Sequence, residues 1–564
     1  MNLWFTHVRP QPVGAGVISS SLRCLRCFLS LLLGRCNKTG LTTRFWVVPS
    51  HILALVVGFA TLPPASYAQV NHAAGAAASA DRPAAELVEA ARNAARNDRN
   101  KESADFFADA IRRAPERRQE LLQELADQLT YSGRASQAVP LYREGLTSGA
   151  ALKSEGRLRM LKGLGLALLW SDQPGEARVV YNDLLREQPA DQDSLRNLSR
   201  ALSWSGRQRE AIVVLQKLLR EYPDDQEARV ALAQARAWMG RPDLAQMTLD
   251  GMDANARSDA QQLRSNLERT LAPRTRAESQ RSTQSDQLNI ESARLIHEIS
   301  FNHGLGTLGV RFDKQKLERE DGADSVRLST PMIRGRYRFN DAVELNGEVG
   351  NLRIEPRASE SLNRFVYSVW FTTWPSDIVR VDLSSNRTTL DNLRSLRLGL
   401  TATQNGASLE VTPSERQRYA IRIDRGLYSD GNRRWSSQAQ AEYRLVVQPD
   451  LWLGLRHSEM AFSQLLNNGY FNPKKFRSDQ LTLRIAHRFG GDKGRWDFSA
   501  FGAAGREHAD PDGSKPTYDV SVATGWQMDD RTRLEAKVQR FSSRTTSSSG
   551  FERTTFGVNL QRSW

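Results

Sequence analysis

The feature that most constrains the fold is an alternation of apolar and polar residues that runs from about residue 290 to the C-terminus. The last segment shows it clearly: Phe556, Val558 and Leu560 alternate with Asn559 and Gln561, and the chain closes on Trp564. A period of two places the apolar row on one face of a strand and the polar row on the other. The mean hydropathy is −0.53, and no apolar run after residue 68 reaches the roughly 18 residues that a membrane helix needs. Any membrane crossing is therefore expected to use strands.

About sixteen such segments, each of roughly ten residues, lie between Ile290 and Trp564, separated by clusters of Gly, Asn, Asp, Ser and Pro. A soluble β-sandwich also alternates, but sandwiches rarely contain so many long strands. The pattern predicts an outer-membrane antiparallel β-barrel of about 16 strands over residues 290–564, with an open, wet lumen. The predicted location is the bacterial outer membrane.

The polar members of these segments are predicted to line the lumen. One predicted strand contains Leu396, Leu398 and Leu400 in alternation with Arg397 and Gly399, which would place Gly399 on the lumen face. The candidate lumen residues are Arg380, Asp382, Arg397, Arg422, Asp424, Glu442, Arg444 and Arg484. Aromatic residues gather near segment ends and are expected to anchor at the membrane interfaces: Phe339, Trp370, Phe371, Trp374, Tyr428, Trp435, Trp452, Trp496 and Trp526.

A different period governs residues 85–268, where Trp170, Trp204 and Trp238 are spaced by 34 residues. This is the tetratricopeptide period, and small residues recur where the two helices of a repeat would cross. The predicted packing positions are Ala138, Gly165, Ala177, Ser199, Ala211, Ala233 and Ala245. An unrelated helical bundle is the alternative, and the tryptophans are interpreted as core residues rather than a ligand platform. The predicted fold is an α-helical tetratricopeptide solenoid followed by the barrel.

Residues 1–68 have the form of a signal peptide. Arg44 precedes an apolar run from Ile52 to Leu62, and small residues before Gln69 predict cleavage after Ala68. A retained membrane anchor is the alternative, although the apolar run is short for one. All three cysteines lie within the first 36 residues, so the mature chain is expected to lack cysteine. The long segment before Arg44 suggests a start codon assigned too far upstream. Residues 69–84 and 269–289 lack apolar periodicity and are interpreted as linkers.

Charge and motifs argue against several classes of protein. The formal net charge is +14, but the basic residues are interspersed with acidic ones, which disfavours a nucleic-acid partner. Neither a Gly-x-Ser-x-Gly elbow nor a His-Glu-x-x-His motif occurs in the sequence, and glycine-rich phosphate loops are also absent. The chain is therefore predicted to be a non-enzyme without catalytic residues, metal or cofactor.

A helical repeat array followed directly by a barrel resembles the outer-membrane porins for secreted exopolysaccharide, namely the cellulose synthase operon protein C family and the poly-N-acetylglucosamine export porin. The segment Gly469, Tyr470, Phe471 and Pro473 is similar to the Gly-Tyr-aromatic-Ser-Pro loop of the cellulose-type barrel, with Asn472 in place of the serine. The same residues also suit an ordinary β-turn.

The resemblance implies export of a polysaccharide through the lumen, with periplasmic synthase or polysaccharide-processing proteins docked on the repeats and outer-membrane lipid around the barrel. Two other classes of function stay open. One is a scaffold whose barrel serves only as an anchor, and the other is a phage or ligand receptor without polymer transport. Conductance of the purified protein would separate a pore from an anchor.

Overall fold

The computed structural model describes residues 82–147, 154–252, 257–491, 494–510, 512–543 and 552–564. These residues form two compact units, one ending at Leu184 and the other running from Leu185 to Trp564. The predicted signal peptide, its cleavage site at Ala68 and Gln69, and nearly all of the first predicted linker lie outside the described residues. None of the described helices is long and apolar enough to cross a membrane.

Helices occupy the described chain from Ala84 to Leu271. They are α1 (Ala84–Arg96), α2 (Asn100–Arg113), α3 (Arg118–Tyr131), α4 (Ala135–Thr147), α5 (Ser154–Trp170), α6 (Pro174–Glu187), α7 (Gln192–Trp204), α8 (Gln208–Glu221), α9 (Gln226–Trp238), α10 (Pro242–Asp250) and α11 (Ser258–Leu271). Gly206 and Gly240, 34 residues apart, both adopt φ of +82° just after α7 and α9. This left-handed conformation has a low conformational energy only for a residue without a Cβ, which favours glycine.

The small residues predicted at the helix crossings are all buried, and the tetratricopeptide prediction is confirmed. Ala138, Ala177, Ala211, Ala233 and Ala245 are 0 % exposed. At Gly165 an added Cβ would lie 2.7 Å from the Tyr181 ring, so a larger side chain would push the helices apart. The tryptophans differ from their interpretation as core residues, since each ends the first helix of a repeat and is only partly buried.

Aspartates at the same repeat position begin α7 and α9. Asp191 accepts a hydrogen bond from the backbone N–H of Ser194, and Asp225 accepts one from Ala228 at 2.9 Å. These are N-cap contacts, which satisfy amide groups that the first helical turn leaves unpaired. Burial opposes ionisation of Asp225, but hydrogen bonds from Ala228, Gln192 and Arg196 outweigh it and lower the pKa of this carboxyl.

Sixteen antiparallel strands follow and close into a barrel through pairing of the first with the last, as predicted. They are β1 (Arg274–Gln284), β2 (Leu288–Phe301), β3 (Gly306–Arg319), β4 (Ser325–Arg338), β5 (Val343–Pro356), β6 (Leu362–Ser376), β7 (Val379–Thr389), β8 (Thr401–Ser414), β9 (Gln417–Tyr428), β10 (Arg433–Val446), β11 (Asp450–Phe462), β12 (Phe476–Phe489), β13 (Trp496–Ala509), β14 (Gly513–Gln527), β15 (Thr532–Ser542) and β16 (Glu552–Ser563).

The linker predicted over residues 269–289 is wrong, because most of it is strand. Residues up to Leu271 belong to α11, and β1 occupies Arg274–Gln284. The sequence of β1 hides its alternation, since Arg276 and Glu278 face the lumen while small or polar residues such as Thr275 and Ser279 face outward. Its register is set by its neighbours: Ala277 pairs with Leu560 of β16 and with Leu295 of β2.

The strand predicted around Leu396 and Leu398 is also wrong. Residues Leu393–Arg397 form a short helix, α12, between β7 and β8. Asn392 caps it by accepting a hydrogen bond from the backbone N–H of Ser395 at 2.8 Å. Gly399 then turns the chain at φ of +61° and does not lie on a strand facing the lumen. Leucines at 396 and 400 satisfy the helical spacing of four as well as a period of two, and the cap favours the helix.

Trp564 lies where β16 pairs with β1 and closes the barrel. Its backbone N–H donates to the Pro273 carbonyl at 2.8 Å, and its indole N–H donates to the Thr275 hydroxyl at 2.8 Å. We expect removal of Trp564 to lower the amount of folded barrel in the outer membrane, because both bonds hold the two ends of the sheet together. The measurement is heat-modifiable mobility of the membrane fraction. Trp564→Phe is the comparison that keeps the backbone bond and the aromatic terminus but loses the indole bond. Undiminished barrel levels in the deletion variant would contradict this role.

Candidate functional site: the barrel lumen

The barrel has two distinct ends. At the end that we call proximal, α11 leads into Arg274 and β16 finishes at Ser563. At the opposite, distal end lie the two long described connections, residues 390–400 and 463–475. Barrels of the outer membrane have short periplasmic turns and longer extracellular loops, and both chain ends of this barrel are at the end with the shorter turns.

Alternation along each strand separates an apolar outer face from a polar lumen face. On β9, Tyr419, Ile421 and Ile423 are 45–49 % exposed on the outer face, while Arg418 and Arg422 occupy the opposite face. The same holds on β16, where Phe556 and Leu560 face outward. An exposed apolar band of this kind is stable against lipid and not against water, which leaves the charged row to line the interior.

Four of the predicted lumen residues meet in one cluster on β7, β8 and β9. Arg380 contacts Asp382 at 2.9 Å, and Arg422 contacts Asp424 at 2.6 Å. Asp382 also accepts hydrogen bonds from the hydroxyls of Thr372 at 2.7 Å and Ser408 at 3.2 Å. A Cβ at Gly406, between the two pairs, would collide with Asp424 and Arg422. The charges are therefore held in place by neighbouring strands.

Three more predicted residues meet on β10 to β12, around a tryptophan. Arg444 is 2.6 Å from Asp450 and lies over the Trp452 ring at 5.7 Å. Arg484 lies over the same ring at 5.1 Å. Glu442, only 8 % exposed, is 3.6 Å from Arg418. Stacking of guanidinium groups on an indole fixes their orientation while leaving N–H donors for other partners.

Arg397, the remaining predicted lumen residue, lies in neither of these two clusters. It ends α12 and forms an ion pair with Asp324, so its role is to hold a loop. The prediction failed at this position because it depended on the strand that the structure replaces with a helix.

The sequence patterns did not single out a second charged network, on β1 to β5. Asp313 accepts from Arg294 at 2.9 Å and pairs with Arg311, and Arg311 reaches Glu348 at 2.6 Å. Arg334 joins Glu348 at 3.1 Å. The alternation of Arg311 and Asp313 with Val310 and Phe312 could have placed these two charges on the lumen face. Their ion pairs with residues of other strands could not be predicted without the register.

The prediction that the aromatic residues anchor at the membrane interfaces holds for only part of the set. Trp496 and Trp526 face outward near the proximal end and stack at 5.4 Å, as an interface anchor would. Trp452 instead lies between lumen arginines, and Trp374 lies beneath the Arg338 guanidinium at 4.4 Å. Residue type alone does not reveal the face of a strand, and these two rings belong to the lumen set.

The connection 390–400 lies across the lumen. Leu393 and Leu396 of α12 pack against inward apolar residues of β2 to β6, including Leu328 and Ile354. Arg364 of β6 donates to the Gly399 carbonyl at 2.8 Å. Arg553, on β16, contacts Asp391 at 3.3 Å. A loop that leaves β7, contacts the wall at β4 to β6 and also reaches β16 must narrow the passage.

The connection 463–475, which carries the predicted loop motif, interlocks with it. The Ser395 hydroxyl donates to the Asn468 carbonyl at 2.7 Å, and a Cβ at Gly469 would collide with Asn392. Tyr470 stacks on Tyr428 at 4.9 Å and donates to Asp430 at 2.9 Å. Burial raises the pKa of Tyr470 to about 12, so its hydroxyl stays a donor. Phe471 and Pro473 belong to the same connection, and Pro473 accepts from the Phe462 N–H.

The last repeats contact the proximal turns of the barrel directly. A carboxylate oxygen of Asp377, in the β6–β7 turn, accepts from the backbone N–H groups of Arg209 at 2.9 Å and Glu210 at 3.3 Å. Asp341, in the β4–β5 turn, pairs with Arg241 at 2.6 Å, and its carbonyl accepts from Arg209 at 3.0 Å. The Asp377 side chain thus caps the N-terminus of α8, where backbone amides are unpaired.

Within the described residues, no group of three or more His, Cys, Asp or Glu side chains is arranged to hold a metal ion. The arrangement of the lumen is suited to non-covalent contact with a hydrated solute. Its donors and acceptors are fixed on strands, and its aromatic rings offer flat faces.

Two protein-family models match the sequence. Residues 365–547 match the PgaA membrane beta barrel domain, and residues 205–267 match a tetratricopeptide repeat. Among curated proteins, none matches the sequence.

Among solved structures, one described as a bacterial polysaccharide outer membrane secretin aligns at 13 % identity and a TM-score of 0.43, over 52 % of this chain and 99 % of that one. The Pseudomonas aeruginosa protein OccK7 aligns at 14 % identity and a TM-score of 0.31, over 52 % and 98 %. A kinesin light chain repeat protein of Podosopora anserina aligns at 20 % identity and a TM-score of 0.27, over 33 % and 95 %. The chain therefore joins tetratricopeptide repeats to a barrel that carries a PgaA-type membrane domain, as the sequence resemblance predicted.

Proposed function

We propose that this protein is an outer-membrane porin through which an exopolysaccharide leaves the cell, and that it is not an enzyme. The observation that carries the proposal is the lumen wall. It combines clusters of paired charges with rings such as Trp452 and Trp374, inside a closed barrel of sixteen strands. A barrel of this size offers a wet path while all strand backbone groups stay paired.

The chemistry of the wall suits a polymer of hydroxyl-rich sugars. Arginines such as Arg380 and Arg422 are held by a neighbouring carboxylate, so they present donors in fixed positions and little net charge. Hydroxyl groups can exchange such hydrogen bonds one after another, which binds the polymer weakly at many places and lets it move. The PgaA-type match over residues 365–547 and the polysaccharide secretin among the aligned structures point the same way.

The repeats are proposed to lie in the periplasm and to dock proteins that synthesise or modify the polymer. Helical solenoids present extended concave surfaces for protein partners. The contacts of Asp377 and Asp341 with α8 and α10 would keep the last repeats at the proximal entrance. Modifying enzymes recruited there would act on the polymer just before it enters the barrel.

The test is a deletion strain. We expect loss of the protein to stop the polysaccharide from reaching the cell surface while synthesis at the inner membrane continues, because only the exit is removed. Surface glycan is measured by dye or lectin binding, and a plasmid copy of the wild-type protein is the control that restores it. Unchanged surface glycan across several growth conditions would contradict export and would favour the scaffold or receptor function.

A further inference from the structure

The outer face of the barrel carries a feature that polymer export does not use. Basic side chains point outward near the distal ends of several strands, among them Lys314, Lys316, Arg327 and Arg353. At the proximal margin the outer face carries aromatic rings such as Trp496 and Trp526. The distal margin of the membrane-facing wall is therefore cationic where the proximal margin is aromatic.

The four residues form one patch on β3, β4 and β5. Lys316 directly faces Arg327 across the β3–β4 pair. Lys314 faces Ser329, which in turn faces Arg353. Like charges directly opposite each other on a sheet face are unfavourable. Carboxylates lie opposite both residues on the other side, since Glu291 of β2 faces Lys316 and Glu355 of β5 faces Arg327. A bound anion would relieve the repulsion that these carboxylates leave.

Carboxylates neutralise only part of the patch. Lys316 pairs with Glu318 at 2.7 Å, and Arg353 pairs with Glu355 at 2.7 Å. Among the described residues, Lys314 and Arg327 form no ion pair within 4.0 Å. Lys314 faces Ala293 and Ser329 and has no carboxylate opposite it, and the four cations exceed the three neighbouring carboxylates Glu291, Glu318 and Glu355. The excess positive charge, on a wall that faces lipid, favours a ligand that brings negative charge.

An apolar furrow of about 440 Å³ begins beside the patch. Its outward lining includes Val310, Phe312, Ile333 and Val349, each 41–60 % exposed. The Lys314 ammonium lies 5.6 Å from the centre of the Phe312 ring, so the cationic patch and the furrow share an edge. The furrow extends across β2 to β5 on the membrane-facing wall, next to the patch on the side of the membrane interior. Its apolar lining suits contact with an acyl chain.

We propose that Lys314, Lys316, Arg327 and Arg353 form a binding site for a phosphorylated, acylated lipid of the outer leaflet. The phosphate lies among the four cations, and an acyl chain lies along the furrow. Phosphate oxygens accept charge-assisted hydrogen bonds from Lys and Arg, and clusters of basic residues at a membrane surface attract anionic headgroups. The distal position matches the outer leaflet because the longer loops of such barrels are extracellular.

The experiment uses the full chain in detergent micelles and native mass spectrometry, with bis-phosphorylated lipid A as the probe. Lipid A with the same acyl chains but no phosphate is the second probe. We expect the phosphorylated probe to bind, and the dephosphorylated one to bind about tenfold more weakly because the charge-assisted bonds are lost. Equal binding of both probes would overturn the proposal.

Two double variants localise the site. Lys314→Ser with Arg327→Ser removes the two cations of the patch that form no ion pair within 4.0 Å and should weaken lipid A binding about tenfold. The matched control is Arg477→Ser with Arg540→Ser, since both arginines face outward at the distal margin but pair with Asp479 at 2.9 Å and Glu552 at 3.0 Å. Binding by the first variant at the wild-type level, or equal losses in both variants, would overturn the site.

A heat-modifiable gel shift in both variants shows that the barrel has folded.

Competition with inorganic phosphate distinguishes a lipid phosphate from a free phosphate ion as the bound anion. Millimolar phosphate should leave lipid A bound, because it brings no acyl chain to the furrow. Displacement by phosphate alone would assign the patch to a free anion and would contradict a lipid site.

Discussion

Replacing Leu396 with aspartate should increase the conductance of the purified protein in planar bilayers several-fold. Leu396 is 0 % exposed and anchors α12 to the apolar inner wall of β2 to β6. A buried carboxylate there would be unpaired, and burial of a polar group without a partner costs roughly 2–7 kcal/mol. The connection 390–400 should therefore detach from the wall and widen the passage.

The matched control for this variant is two residues away. Leu398→Asp makes the same chemical change in the same connection, but Leu398 is 52 % exposed and should tolerate the charge. Conductance of this control should equal that of the wild type. A variant with residues 391–399 replaced by a short Gly-Ser segment should reproduce the effect of Leu396→Asp. Unchanged conductance in Leu396→Asp and in the Gly-Ser variant would mean that another element limits the width of the lumen.

The second large effect is expected at the contact between the repeats and the barrel. Replacing Asp377 and Asp341 with alanine together removes the carboxylate that caps α8 and the barrel carboxylate that pairs with Arg241. Loss of a cap costs about 0.5–2 kcal/mol, and a partly exposed ion pair contributes up to about 1 kcal/mol. Amide exchange in α8 and α10 should accelerate about tenfold or more, because about 1.4 kcal/mol changes an equilibrium tenfold.

Hydrogen–deuterium exchange of the whole protein measures this effect. Asp530→Ala is the control, because Asp530 also lies in a proximal turn. Its side chain is 91 % exposed, and its carboxylate comes no closer than 3.9 Å to Arg269. Exchange in β6 and β7 should not change, which separates detachment of the repeats from damage to the barrel. Equal exchange in the double variant and the wild type would show that the contact does not hold the repeats.

The repeat region and the barrel could be predicted from the sequence because each has a period set by local geometry. The spacing of 34 residues places Ala211 and Ala245 at equivalent helix crossings, and alternation places Tyr419, Ile421 and Ile423 on one face. Both signals depend on neighbours in the chain. For the same reason, alternation alone places Arg380, Asp382, Arg422 and Asp424 on the lumen face, without knowledge of the register.

The elements that were missed depend on partners far away in sequence. The strand β1 is polar on both faces, and only pairing with β16 and β2 makes it a strand. The leucines around α12 satisfy two periods, and the cap at Asn392 decides between them. The inward position of Trp452 follows from the register of β11 and from two arginines on neighbouring strands.

The capping contact of Asp377 has an evolutionary consequence. The barrel contacts described here use α8 and the start of α10, which belong to the last complete repeats. In a solenoid each repeat depends mainly on its immediate neighbours. Whole repeats can therefore be gained or lost on the N-terminal side while the attachment to the barrel is preserved. The same attachment would therefore suit arrays of different length, and the proposed docking surface for periplasmic proteins would lengthen or shorten with the array.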